Sequence, residues 1–205
     1  MQTFYLRLLI ATILAIVLYV LMFHYVDRPI ALAAAPLANT VFYKISYVLY
    51  RIFKPSIWAL ISLIGFVVFL ITCFAGRRSK QLNGLAFICA SNLLGSLICE
   101  IIKVGLARYR PVEFLTQQHY GFHFFSMQDN LNSTPSGHAM IVFSMAMCLT
   151  VLFRRYAIWF FLVAFMVAVS RIVMAHHFLG DVFLGAYVGI VASLIIRHHF
   201  MNKLK

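Results

Sequence analysis

The stretch SRIVMAHHFLGD, residues 170–181, places an arginine, two adjacent histidines and an aspartate between long apolar runs. If a helix has already begun at residue 177, His177 and Asp181 stand four apart on one face, while His176 points elsewhere. A carboxylate that holds one ring nitrogen of His177 leaves the other unprotonated, as a nucleophile requires. A structural His–Asp pair at a membrane boundary has the same spacing. In KVGLARYRP, residues 103–111, Lys103 and Arg110 lie seven apart, so on a helix both cations can converge on one anion before Pro111 ends it. Basic side chains snorkelling to a membrane surface also fit that pattern. In STPSGHAM, residues 133–140, Thr134 suits an N-cap and Pro135 the first helical position, which leaves the amides of Ser136 and Gly137 unpaired in the first turn. Small residues at a helix start let the backbone approach a phosphate, with His138 beside that cradle. Alone, a histidine at a helix start is more often structural.

The elements that must position these residues are membrane helices. The chain is 63% hydrophobic and 11% charged, with a mean hydropathy of +0.93, which is far from a soluble domain and places it in the membrane. Apolar runs at about 5–25, 56–75, 83–103, 137–153, 157–174 and 180–197 are close to the length a transmembrane helix needs. The reading is all-α: a polytopic bundle of six transmembrane helices forming a single domain over residues 1–205. The first run is too long for a signal-peptide core and lacks a small-residue cleavage pattern, so it is expected to be retained. Four cysteines, Cys73, Cys89, Cys99 and Cys148, fall inside apolar runs and read as free, buried thiols.

Orientation follows from charge. GRRSK (76–80), FRRY (153–156) and the tail RHHFMNKLK (197–205) are the basic loops expected in the cytoplasm together with the N-terminus. Segments 26–55 and 104–136 and the turn carrying the two histidines then face outward, so all three clusters land on one side. The net charge of +12 is spread over these short clusters rather than gathered on one face, which speaks for membrane orientation and against a nucleic-acid partner. In VFYKISYVLYRIFK (41–54), Val41, Ile45, Val48, Leu49 and Ile52 recur at helical spacing while Lys44, Tyr47, Arg51 and Lys54 mark another face. That pattern predicts an interfacial amphipathic helix after the first span, serving as an anchor or as a collector of acidic lipid. Trp58, Tyr156 and Trp159 fall near span ends, where aromatic anchors settle.

Together the clusters supply one oriented histidine, a second histidine, three cations and a helix N-terminus, which is equipment for phosphoryl transfer. The pattern Lys-x6-Arg-Pro, Pro-Ser-Gly-His, Ser-Arg-x5-His-x3-Asp resembles the type 2 phosphatidic acid phosphatase (PAP2) superfamily of membrane lipid phosphatases. It is matched at Lys103, Arg110 and Pro111, at Pro135, Ser136, Gly137 and His138, and at Ser170, Arg171, His177 and Asp181. The resemblance implies a metal-independent, cofactor-free reaction in which His177 attacks phosphorus, Asp181 orients it and His138 protonates the leaving oxygen. Lys103, Arg110, Arg171, Ser136 and the amide of Gly137 would hold the phosphoryl oxygens. The five acidic residues are too dispersed for an oxygen-rich Mg²⁺ or Ca²⁺ site.

Implied substrates are undecaprenyl pyrophosphate, phosphatidylglycerophosphate, phosphatidic acid or the phosphates of lipid A, met at the periplasmic face of a bacterial inner membrane. Two other readings are a phosphotransferase that passes the phosphate to a second lipid, and a transporter or binding protein for anionic lipid. The transporter reading expects charges deep within spans, whereas here they cluster at span ends. Glu100, one turn before Lys103, is expected to pair with it. Arg108, His119, His123 and His176 carry no assigned role.

Overall fold

The computed structural model describes residues 2–77 and 79–200; Arg78 of the GRRSK loop and residues 201–205 of the basic tail lie outside the described residues. Every expected span finds a helix. Helix α1 (Gln2–Leu21) continues through one π turn into α2 (Asp27–Ala34); α3 (Val41–Ile52) leads into α4 (Pro55–Phe74) and α5 (Lys80–Leu106). After the short α6 (Pro111–Gln117) come α7 (Gly137–Leu152), α8 (Ala157–Val173) and α9 (Leu179–Phe200). No strand occurs among the described residues. Five helical segments are long and apolar enough to cross a membrane; α7 is apolar but has only 16 residues, about 24 Å at the helical rise.

That short helix sits at the centre. It is apolar all round, as a helix enclosed by others must be, and it packs against α5, α8 and α9. Along α9, Gly185 and Gly189 stand four residues apart, the small-residue spacing that lets membrane helices touch backbone to backbone. A Cβ on Gly185 would lie 2.3 Å from the Ser136 carbonyl oxygen, and one on Gly189 would lie 2.3 Å from that of Met140. The contact brings the start of α9 against the segment before α7, where the Ser136 N–H donates to the Asp181 carbonyl at 2.9 Å. Outward-pointing side chains of α1, α4 and α8, such as Ile13, Leu60 and Phe165, are apolar and exposed, a surface matched to lipid rather than water.

Helix α3 is amphipathic, as its spacing predicts. Val41, Ile45 and Val48 are exposed, while Ser46 is buried and Leu49 packs on the Val142, Ala164 and Val167 cluster between α7 and α8. It therefore docks on the bundle and is part of its wall. The four cysteines are free, and Cys89, Cys99 and Cys148 are buried.

Three local expectations are corrected. Lys103 and Arg110 do not share a helix: α5 stops at Leu106, and Ala107 adopts a left-handed conformation (φ 44) that lets its N–H close back on the Lys103 carbonyl at 2.8 Å. Pro111 starts α6 instead of ending α5, because a first helical position has no N–H to lose. Thr134 and Pro135 do not open α7; Ser136 is the N-cap, its backbone extended and its Oγ accepting from the Ala139 N–H at 3.5 Å.

Candidate active site

Most of the residues singled out by type and spacing converge on one cavity of about 500 Å³ at the starts of α4 and α7 and the ends of α5 and α8. Lys103, Arg110, Gly137, His138, Arg171 and His177 all line it. Lys103 comes from the end of α5, where Glu100 holds its Nζ at 2.9 Å, the expected one-turn ion pair. Arg110 comes from the extended residue before α6. Gly137 and His138 open α7, and the absence of a side chain at Gly137 matters: a Cβ there would meet Pro55 at 3.2 Å and Lys103 Nζ at 3.6 Å.

His177 does not belong to α9. The chain turns over residues 174–178, with Ala175 at φ 52, and α9 begins at Leu179. The expected i, i+4 pairing with Asp181 therefore does not form. Asp181 occupies the third position of α9 and reaches back to accept the Phe178 N–H at 2.8 Å, half of a capping box. The His177 Nδ1–H donates instead to the Ser133 carbonyl oxygen at 2.6 Å. Because a carbonyl can only accept, Nδ1 carries the proton and Nε2 keeps its lone pair. Burial, then the nearby Arg171 and Arg110, hold the His177 imidazole well below its usual range, so it is neutral and nucleophilic in form.

Arg171, at the end of α8, is 1% exposed and has no carboxylate within ion-pair distance among the described residues. Its Nη1 donates to the Met174 sulfur at 3.5 Å, and the Tyr50 ring lies 4.9 Å from its guanidinium carbon. A buried cation so weakly compensated calls for an anionic ligand. Tyr50 also lies 5.1 Å from the His138 ring and 6.0 Å from that of His176, centroid to centroid. His138 Nε2 is buried and without a hydrogen-bond partner among the described residues.

Ser136, expected at the anion, and Asp181, expected to hold the His177 ring, both stand outside the cavity lining. Ser136 is fully buried and is not part of the cavity lining; its N–H is committed to Asp181 and its Oγ to capping α7. Asp181 lies behind the cavity, where Arg108 Nη1 and Ser133 Oγ donate to its carboxylate at 2.6 and 2.5 Å.

A profile of the PAP2 superfamily matches residues 84–205, well over half of the chain. The chain belongs to the PAP2 superfamily. It is accordingly an integral membrane enzyme, a lipid phosphatase. The crystal structure of the first transmembrane PAP2 type phosphatidylglycerolphosphate phosphatase from Bacillus subtilis is similar in fold, with a TM-score of 0.59 at 18% identity over 95% of each chain. That coverage extends the shared PAP2 fold through the N-terminal helices that the profile leaves out. The crystal structure of Aquifex aeolicus LpxE gives a TM-score of 0.47 at 20% identity, covering 75% of this chain and 94% of that one. A search of curated protein sequences found no match.

Within the cavity, several lining residues lie outside the motifs. Lys54 adds a fourth cation, Tyr50 a stacking ring, and Asn132 an amide. The basic spacing of Lys44, Arg51 and Lys54 was a signal for a charged face, but nothing in it marked Tyr50 as facing the site. His176 also lines the cavity, its imidazole lowered to about 4 by burial and by Arg171 and Arg110. His119 and His123 do not reach it: His119 lies against Tyr109 at 5.3 Å, and His123 is exposed. Arg108, which the motifs pass over, is completely buried and paired with Asp27 and Asp181.

Proposed function

We propose that the protein hydrolyses a phosphomonoester or pyrophosphate of a membrane lipid through a phosphohistidine, its single domain spanning residues 1–205 and its site opening on the periplasmic face of a bacterial inner membrane. The observation that carries this reading is the bond from His177 Nδ1–H to the Ser133 carbonyl, which leaves Nε2 as a lone-pair nitrogen in a cavity lined by cations. The Nε2 lone pair forms a P–N bond as the bond from phosphorus to the leaving oxygen breaks, and His138 gives that oxygen its proton. His138, now neutral, takes a proton from water; the hydroxide oxygen bonds to phosphorus and the P–N bond breaks, releasing phosphate. Lys103, Arg110 and Arg171, with the amide of Gly137 at the start of α7, neutralise the equatorial oxygens, where most of the catalytic effect of such a site lies. Ser136 contributes by fixing that helix start.

No group of three His, Cys, Asp or Glu side chains stands together among the described residues in a way that could hold a metal ion. The substrate candidates remain undecaprenyl pyrophosphate, phosphatidylglycerophosphate, phosphatidic acid and the phosphates of lipid A. The test is phosphate release across that panel by wild type and His177→Ala, with and without EDTA. Release that is lost in His177→Ala and indifferent to EDTA supports the reading. A phosphorylated second lipid with no free phosphate overturns hydrolysis in favour of transfer, and Mg²⁺-restored activity after EDTA overturns the metal-free step.

A further inference from the structure

Arg108 sits two residues before the cavity-lining Arg110, yet it takes no part in the cavity. Its side chain is 0% exposed and both terminal nitrogens are engaged: Nη2 donates to Asp27 Oδ2 at 2.7 Å and Nη1 to Asp181 Oδ1 at 2.6 Å. Aromatic rings enclose the guanidinium, with Phe178 at 4.3 Å and Phe23 at 4.8 Å from its central carbon. Asp27 is itself tied to α9, accepting the Gly180 N–H at 2.8 Å. Beyond Arg108 the chain of contacts continues. Ser133 Oγ donates to Asp181 Oδ2 at 2.5 Å, the Ser133 N–H donates to the Arg108 carbonyl at 3.1 Å, and the Ser133 carbonyl accepts from His177 Nδ1 at 2.6 Å.

We propose that Arg108 is a positioning residue for the nucleophile: clamped by Asp27, it fixes Asp181, and through Ser133 it sets the tautomer and direction of the His177 ring. The proposal rests on His177 being the nucleophile. Ser133 joins the Asp181 carboxylate to the His177 ring, while the Phe178 N–H ties the backbone next to His177 to the same carboxylate. Buried ion pairs contribute little net stability against apolar packing, but they demand one geometry, because any misplacement leaves a charge unpaired.

The measurement is kcat, KM and competitive inhibition by inorganic phosphate for Arg108→Lys, Asp27→Asn, Ser133→Ala and the Arg108→Lys/Ser133→Ala double variant, each scaled to its folded fraction. His177→Ala serves as reference. Arg108→Lys should lower kcat by about 100-fold, the cost of a small misplacement at a reacting centre, with KM and phosphate inhibition within threefold. Asp27→Asn and Ser133→Ala should each lose about tenfold, and the double variant should be no more than about threefold slower than Arg108→Lys, since both changes break one chain of contacts. Unchanged kcat in Ser133→Ala and Asp27→Asn overturns the proposal even if Arg108→Lys fails to fold. So does a loss confined to KM and phosphate inhibition, which would make Arg108 a substrate ligand, or a fully additive double variant. An active His177→Ala enzyme instead removes the nucleophile assignment on which the proposal stands.

Discussion

At the scale of single residues, the two adjacent histidines differ in what holds them. His177 is fixed through Nδ1 to a backbone carbonyl, whereas His176 lines the cavity beside Tyr50. His177→Ala should therefore cost at least ~10³-fold in phosphate release, as loss of a nucleophile does, while His176→Ala should stay within about tenfold. Comparable losses in two folded variants would contradict the separation. Both rings are held below the usual imidazole range by burial and by Arg171 and Arg110, His176 at about 4. The folded protein then binds fewer protons than the unfolded chain below about pH 6.5. The stabilisation these neutral rings give is complete above that pH and is lost as pH falls toward the folded values. Thermal unfolding in detergent should shift downward from pH 7.5 to 5, with a shallower slope in His176→Gln; an identical slope in that variant would refute the linkage. The spacing His-x3-Asp pointed to His177, which lines the cavity together with His176, but its hydrogen-bond partner was not legible. The four-residue step presumes a helix already begun at 177, and Asp181 is drawn instead into capping Phe178 and neutralising a buried arginine.

At the scale of elements, the site depends on how closely α9 meets α7. Gly185→Ala drives a methyl to 2.3 Å from the Ser136 carbonyl, and relieving that overlap should cost about 1–3 kcal/mol. Because Ser136 and Asp181 are joined there, kcat should fall along with the melting temperature. Gly84→Ala is the control: its Cβ would meet Leu152 methyls at 3.5 and 3.6 Å, an ordinary contact, and activity should be retained. Equal behaviour of the two variants would show that the α7–α9 contact does not set the site. Helix α3 illustrates the limit of pattern reading. Its amphipathic period was plain in the sequence, but an apolar stripe shows only that a face seeks an apolar environment. Whether that environment is lipid or protein depends on tertiary packing, and here α3 uses Leu49 and Tyr50 toward the bundle. Tyr50→Ala should raise KM several-fold by removing the ring beside Arg171, a contact worth about 0.5–2 kcal/mol, whereas Tyr50→Phe should keep it.

At the scale of the whole molecule, the helices and their order were legible because membrane burial imposes one rule on every span: long, apolar and internally hydrogen-bonded. What length and hydropathy could not reveal is pairing across the chain. Asp27, a lone carboxylate where the first helix continues into α2, meets Arg108, 81 residues away, beside the start of α9, whose Gly180 N–H also donates to it. The same charge logic fixes how the bundle should sit. The cavity and its cations lie at the ends of α5 and α8 away from the start of α5 and the FRRY loop, so the positive-inside tendency predicts a cavity on the outer face. Gln118, just after α6, and Gln81, in the first turn of α5, are exposed residues on opposite sides of that assignment. In intact bacterial cells expressing each cysteine variant, a membrane-impermeant maleimide should label Gln118→Cys readily and Gln81→Cys only after permeabilisation, with wild type as the background for the native thiols. The reverse labelling would turn the cavity toward the cytoplasm, and the lipid phosphates offered to this site would be those of the inner leaflet.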